Sequence, residues 1–94
     1  MDNLVERIIG VVCEYFGVEE DKLLLKRSYA SVCDARKFII YILHCDFGVP
    51  ASTLAKRFSM HQCNIYTIAR KAKTVLQLYG SYQRTYSEIM DVIG

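Results

Sequence analysis

The sequence predicts an all-α fold of about six helices, and three observations carry that expectation. Apolar residues recur at the three- and four-residue spacing of a helix in one segment after another. Glycine, proline and hydroxyl or acidic residues fall between those segments, where helices stop and start. No segment alternates polar and apolar residues in the period-two manner of a half-buried strand, and no internal repeat or low-complexity tract occurs. With 94 residues, 52% of them hydrophobic, the chain can build one core and has no room for a catalytic domain beside it. Residues 1–94 are therefore expected to form a single helical domain.

Leu4, Val5, Ile8, Ile9, Val12, Cys13 and Phe16 form one apolar stripe of a first helix, with Asp2 as its N-cap and Gly17 as its stop. The acidic run Glu19-Glu20-Asp21 opens a short second helix through Leu25, since negative charge is favoured beside the unpaired amides of a first helical turn. After the basic connection 26–30, Ser31-Val32-Cys33-Asp34 has the form of a capping box before an apolar run. Val32, Ala35, Phe38, Ile39, Ile42 and Leu43 make the stripe of this third helix. Ile40 and Tyr41 widen it until it is apolar nearly all round, which predicts a central position. Gly48 closes it, and Pro50 suits the first position of a fourth helix running to about Phe58, because the amide hydrogen it lacks has no partner there. A fifth helix follows from Ile65, Ile68, Ala69, Ala72, Val75 and Leu76. Gly80 and Ser81 then separate it from a sixth, marked by Tyr82, Tyr86, Ile89 and Ile93.

Composition narrows the class of function. The longest uninterrupted apolar stretch falls far short of the roughly 20 residues of a membrane span, and no basic-then-apolar signal layout opens the chain. No membrane association is expected. Four Cys without a C-x-x-C pair, three of them among apolar residues, suggest buried free thiols in a reducing, cytoplasmic compartment. His44-Cys45 and His61 with Cys63 supply zinc-ligand types. Neighbours on a helix point about 100° apart, however, and converge poorly on a tetrahedral site, so no metal is expected. No phosphate-loop motif and no recognisable catalytic arrangement of His, Ser and Asp occurs, so neither an enzyme, a cofactor nor a small-molecule substrate is predicted.

The net charge of +2 conceals a division along the chain. Residues 1–21 carry Asp2, Glu6, Glu14, Glu19, Glu20 and Asp21 against Arg7, a balance of −5. Residues 22–73 carry ten Lys and Arg against Asp34 and Asp46, a balance of +8. A basic middle suits a polyanion, although a solvated basic face has the same composition. Within that middle, a short helix, a tight connection and a long helix between about residues 50 and 79 have the layout of a helix-turn-helix; an ordinary helical hairpin uses the same apolar spacing. The exposed face expected for the long helix presents Cys63, Tyr66, Thr67, Arg70, Lys71 and Thr74, with His61, Gln62 and Asn64 in its first turn, and no acidic residue occurs from Arg57 through Tyr86. A helix entering the major groove needs hydrogen-bonding side chains near its N-terminus and few carboxylates, because phosphates line the groove walls.

From Phe16 to Ile93 the chain resembles the C-terminal DNA-binding domain of the bacterial replication initiator DnaA, whose core is a Trp-repressor-like helix-turn-helix. The resemblance rests on Tyr15-Phe16-Gly17-Val18, Lys26-Arg27, Ala35-Arg36-Lys37 with Tyr41, Leu54-Ala55-Lys56-Arg57-Phe58, and Arg70-Lys71. Order and spacing agree apart from one residue fewer in the turn. The family's Asp-His-Thr-Thr signature falls on His61-Gln62-Cys63-Asn64, where none of its residues is retained, and Ser28 stands at the minor-groove arginine. The resemblance implies double-stranded DNA as partner, within a bacterial or phage-derived cell interior, and a sequence preference different from the family's. It places His61, Gln62 and Cys63 against bases, with Arg27 as the residue nearest the minor groove. It puts Lys26, Arg36, Lys37, Lys56, Arg57, Asn64, Arg70 and Lys71 against the backbone. The alternative is a helical protein-interaction domain that kept this fold without DNA, using the first helix or the Tyr-rich C-terminus.

Overall fold

A computed structural model describes residues 2–24 and 30–93. Among the described residues are five α-helices: α1 (Asp2–Phe16), α2 (Ala30–Tyr41), α3 (Ala51–Phe58), α4 (Gln62–Leu78) and α5 (Gly80–Ile93). The short second helix expected here is a 3₁₀ turn, Glu20–Leu24, and a π-helical segment, Ile42–Asp46, prolongs α2. The fold is all-α.

Helix α1 buries Val5, Ile8, Ile9, Val12 and Cys13, and Phe16 packs at the margin of the same core. It ends where Gly17 takes φ +66°. The amides of Gly17 and Val18 then close back on the Glu14 and Cys13 carbonyls at 3.3 and 2.9 Å, satisfying two of the last carbonyls. Leu23 of the 3₁₀ turn is buried, and its carbonyl accepts hydrogen bonds from Arg36 Nε (2.9 Å) and Nη2 (2.5 Å).

The third predicted helix is the centre of the molecule. Val32, Ala35, Phe38, Ile39, Ile40, Ile42 and Leu43 are all buried, and α1, α4 and the 3₁₀ turn pack around α2. The helix begins at Ala30, one residue before the expected Ser31 cap, and the Asp34 carboxylate accepts a hydrogen bond from the Tyr82 hydroxyl at 3.2 Å. Its end is wider than an α-helix: the Phe47 amide bonds the Ile42 carbonyl five residues back at 3.1 Å, and Gly48 at φ +70° turns the chain.

Pro50 is the extended residue just before α3, its carbonyl accepting from the Thr53 and Leu54 amides at 3.1 and 3.3 Å. Ala51, Leu54, Ala55 and Phe58 bury one stripe of α3. The helix stops at Ser59, in the left-handed region at φ 54°, and the Met60 amide returns to the Ala55 carbonyl at 2.9 Å. Only residues 59–61 separate α3 from α4. Helix α4, at 17 residues and about 1.5 Å per residue, runs roughly the length of a molecule measuring 30 × 27 × 23 Å. It buries Ile65, Ala69 and Ala72, and the small alanines allow close approach of α2.

Only Tyr79 intervenes between α4 and α5, so the expected break at Gly80-Ser81 lies one residue earlier. Ile89 and Ile93 are the buried side chains of α5. Tyr82 donates to Asp34, Tyr86 to Asp46, and Glu88 accepts from Tyr15 of α1; Arg7 Nη2 reaches the Ile93 carbonyl at 3.0 Å. Among the described residues, no helix is long and apolar enough to cross a membrane.

The cysteine expectation needs correcting. All four thiols are free, but only Cys13 is buried; Cys33 is half-buried, and Cys45 and Cys63 are exposed. An apolar sequence neighbourhood does not make a helical residue face inward, because successive side chains turn by about 100°. Burial raises the Cys13 thiol to about 11, so it stays protonated at neutral pH.

Candidate functional site

The outward face of α4 is a continuous run of exposed polar side chains. Cys63, Thr67, Arg70 and Thr74, spaced i, i+4, i+7 and i+11, form its midline and are exposed. Gln62, Tyr66 and Lys73 lie along one flank, Asn64 and Lys71 along the other, all exposed. Thr67 and Thr74 turn their hydroxyl protons back onto the Cys63 and Arg70 carbonyls at 3.0 and 3.1 Å. The side chains of Gln62, Asn64, Arg70, Lys71 and Lys73 make no hydrogen bond or ion pair with any other described residue, and α4 contains no carboxylate.

The sequence pattern had grouped twelve residues, and the fold separates them. His61, Gln62, Cys63, Asn64, Arg70 and Lys71 share the outer side of α4 and its N-terminal approach. Lys56 joins them across an open groove at the α3–α4 corner, lined by Ser52, Ala55, Lys56, Ser59, Met60, His61 and Gln62. His61 precedes α4 in an extended conformation, and its side chain makes no capping hydrogen bond. Lys37 is half-buried against Phe38, Ala72, Val75 and Tyr82, where α2, α4 and α5 meet.

Two arginines are engaged inside the fold. The Arg57 guanidinium grips the Glu6 carboxylate of α1 in a two-pronged ion pair, Nε–Oε1 2.6 Å and Nη2–Oε2 3.2 Å. The Arg57 hydrogen bond holds the Glu6 carboxyl below its ordinary range, and the same bond raises Arg57. Arg36 is turned to the Leu23 carbonyl. Lys26 and Arg27 lie outside the described residues.

Sequence reasoning set Tyr66 on the exposed face of the long helix without assigning it a contact, and gave Lys73, His44 and Glu6 no role in DNA binding. Tyr66 is 49% exposed, and its ring stands edge-on to the His44 imidazole, centroids 5.4 Å apart and planes at 81°. His44 is fixed by a 2.9 Å hydrogen bond between Nδ1 and the Val49 carbonyl. Among the described residues, no group of three His, Cys, Asp or Glu side chains is placed to hold a metal ion.

Comparison with models of protein families yields no match, and neither does comparison with curated proteins.

Proposed function

We propose that this chain binds double-stranded DNA as a helix-turn-helix module similar to the DnaA C-terminal domain, placing α4 in the major groove with a sequence preference of its own. One observation carries the reading: from Gln62 to Thr74 the outer face of α4 holds free amides and cations and no carboxylate. A short helix, a three-residue turn and a long helix supply the matching frame. An α-helix with its side chains is about 10–12 Å across, which matches a major groove about 12 Å wide.

In this reading His61, Gln62 and Cys63 meet base edges, since they stand at the N-terminal end of the inserted helix. Asn64, Arg70, Lys71 and Lys56 meet phosphates. Arg57 contributes only if it releases Glu6. The role is binding without catalysis or cofactor, in the cell interior where DNA is found.

Selection from a pool of randomised duplexes tests this reading. Enrichment of a defined site, altered by Gln62→Ala at particular base pairs, supports it; affinity weaker than about millimolar in low salt for every duplex sinks it.

A second reading, a protein-interaction domain, draws on the exposure of Leu78 (69%) and Tyr79 (55%) at the α4–α5 corner. Such binding would survive high salt, whereas duplex binding would not.

A further inference from the structure

Tyr66 and its support by His44 go unused in the reading above. Three other tyrosines, Tyr15, Tyr82 and Tyr86, donate their hydroxyls to carboxylates within the fold. The Tyr66 hydroxyl has no hydrogen-bond partner among the described residues, and no carboxylate lies on its helix to provide one. Nor is the ring merely loose at the surface. The π-helical end of α2 sets His44 beside it, and His44 is pinned in turn to the carbonyl of Val49, a residue 1% exposed. An exposed aromatic ring held edge-on by a fixed imidazole has lost much of its rotational freedom before any partner arrives, which reduces the entropic cost of a contact. π-helical turns are often found where a side chain is being positioned for function.

Its place on the helix selects the kind of contact. The N-terminal end of a groove-inserted helix reaches base edges, whereas side chains past its first turn and off its midline face the sugar-phosphate walls. Tyr66 is on a flank, between Gln62 and Arg70 one turn to either side, and its phenol is a neutral donor from which a phosphate oxygen can accept. We infer that the Tyr66 hydroxyl donates to a backbone phosphate of the bound duplex, with His44 as the residue that positions it. This rests on the DNA-binding reading and adds a neutral, sequence-independent contact to it.

Neutrality makes the contact separable from those of the lysines. The experiment measures affinity of the full chain, wild type and variants, for several duplexes across a range of salt. Tyr66→Phe should weaken binding about fivefold, the net worth of one hydrogen bond, equally for all sequences and with the salt slope unchanged. Lys71→Gln, measured beside it, should lower the slope by about 0.9. His44→Ala should weaken the wild type but leave the Tyr66→Phe protein unaffected, a coupling that a purely structural role would not produce. His44→Phe, which keeps a ring edge and removes the anchor to Val49, should behave likewise if the alanine variant unfolds.

Unchanged affinity in Tyr66→Phe alongside a weakened Lys71→Gln would overturn the inference and leave the DNA reading standing. So would a loss confined to particular sequences, which would mean a base contact, or equal effects of His44 substitution in both backgrounds. Absence of duplex binding by the wild type would overturn both.

Discussion

Helices α4 and α5 are consecutive, separated by a single residue, yet they treat their polar side chains in opposite ways. On α5, Tyr82, Gln83, Tyr86 and Glu88 all bond to other parts of the fold, and two isoleucines supply the buried surface. On α4, Ile65, Ala69 and Ala72 hold the helix down, while its amides and cations are left to solvent. The longer polar side chains of α5 named here serve the fold, whereas the amides and cations of α4 are available to a partner, and a ligand surface belongs on the second kind. Substitutions that remove a partnered group should cost stability and leave binding alone, and those on α4 should do the reverse.

The largest effect should come from apolar support. Ile89→Ala removes a fully buried side chain from α5 and should lower the unfolding free energy by about 2–5 kcal/mol, measured by denaturant titration. A loss below about 1 kcal/mol would mean that the tyrosine bonds, rather than this packing, hold α5.

Next is the Tyr86 bond to Asp46. Tyr86→Phe should cost about 1 kcal/mol near neutral pH. Burial, then the hydrogen bond and charge of Asp46, push the Tyr86 phenol well above its ordinary value, so the folded state resists its ionisation. A raised folded-state value means the contribution is complete below the unfolded value of about 10 and declines as pH rises from there toward the folded one. The stability gap between wild type and Tyr86→Phe should therefore narrow above about pH 10, which thermal unfolding between pH 8 and 12 would record. A gap that widened with pH would contradict the bond.

Smaller effects separate two cations of the basic middle. Arg57→Gln breaks a partly exposed ion pair with Glu6 and should cost up to about 1 kcal/mol. Lys71→Gln should leave stability within about 0.5 kcal/mol, since the side chain bonds to no other described residue. If the two substitutions changed stability equally, the distinction between engaged and free cations would fail.

Much of this architecture is legible in the chain. The stripe from Leu4 to Phe16 and the all-round apolar run from Phe38 to Leu43 specify the first and central helices, because burial acts on residues three and four apart and leaves a periodic trace. The acid-free outer face of α4 is legible for the same reason: once the buried stripe is known, the opposite face follows. Long-range pairings leave no such trace. Glu6 and Arg57 meet across 51 positions, and Tyr15 and Glu88 across 73, so Arg57 looked as free as Lys56 until the fold placed α1 beside α3. The π-helical turn has no compositional signature either, and it is what carries His44 to Tyr66. The cysteines misled because apolar neighbours in sequence were taken for apolar neighbours in space.

The central claim is that the free face of α4 is a polyanion-binding surface, and the salt dependence of duplex binding tests it most directly. Lys56, Arg70, Lys71 and Lys73 make no ion pair among the described residues, so log affinity against log salt should have a slope of roughly −3 to −4, at about −0.9 for each phosphate neutralised. A slope near zero, or no duplex binding even at low salt, would contradict it.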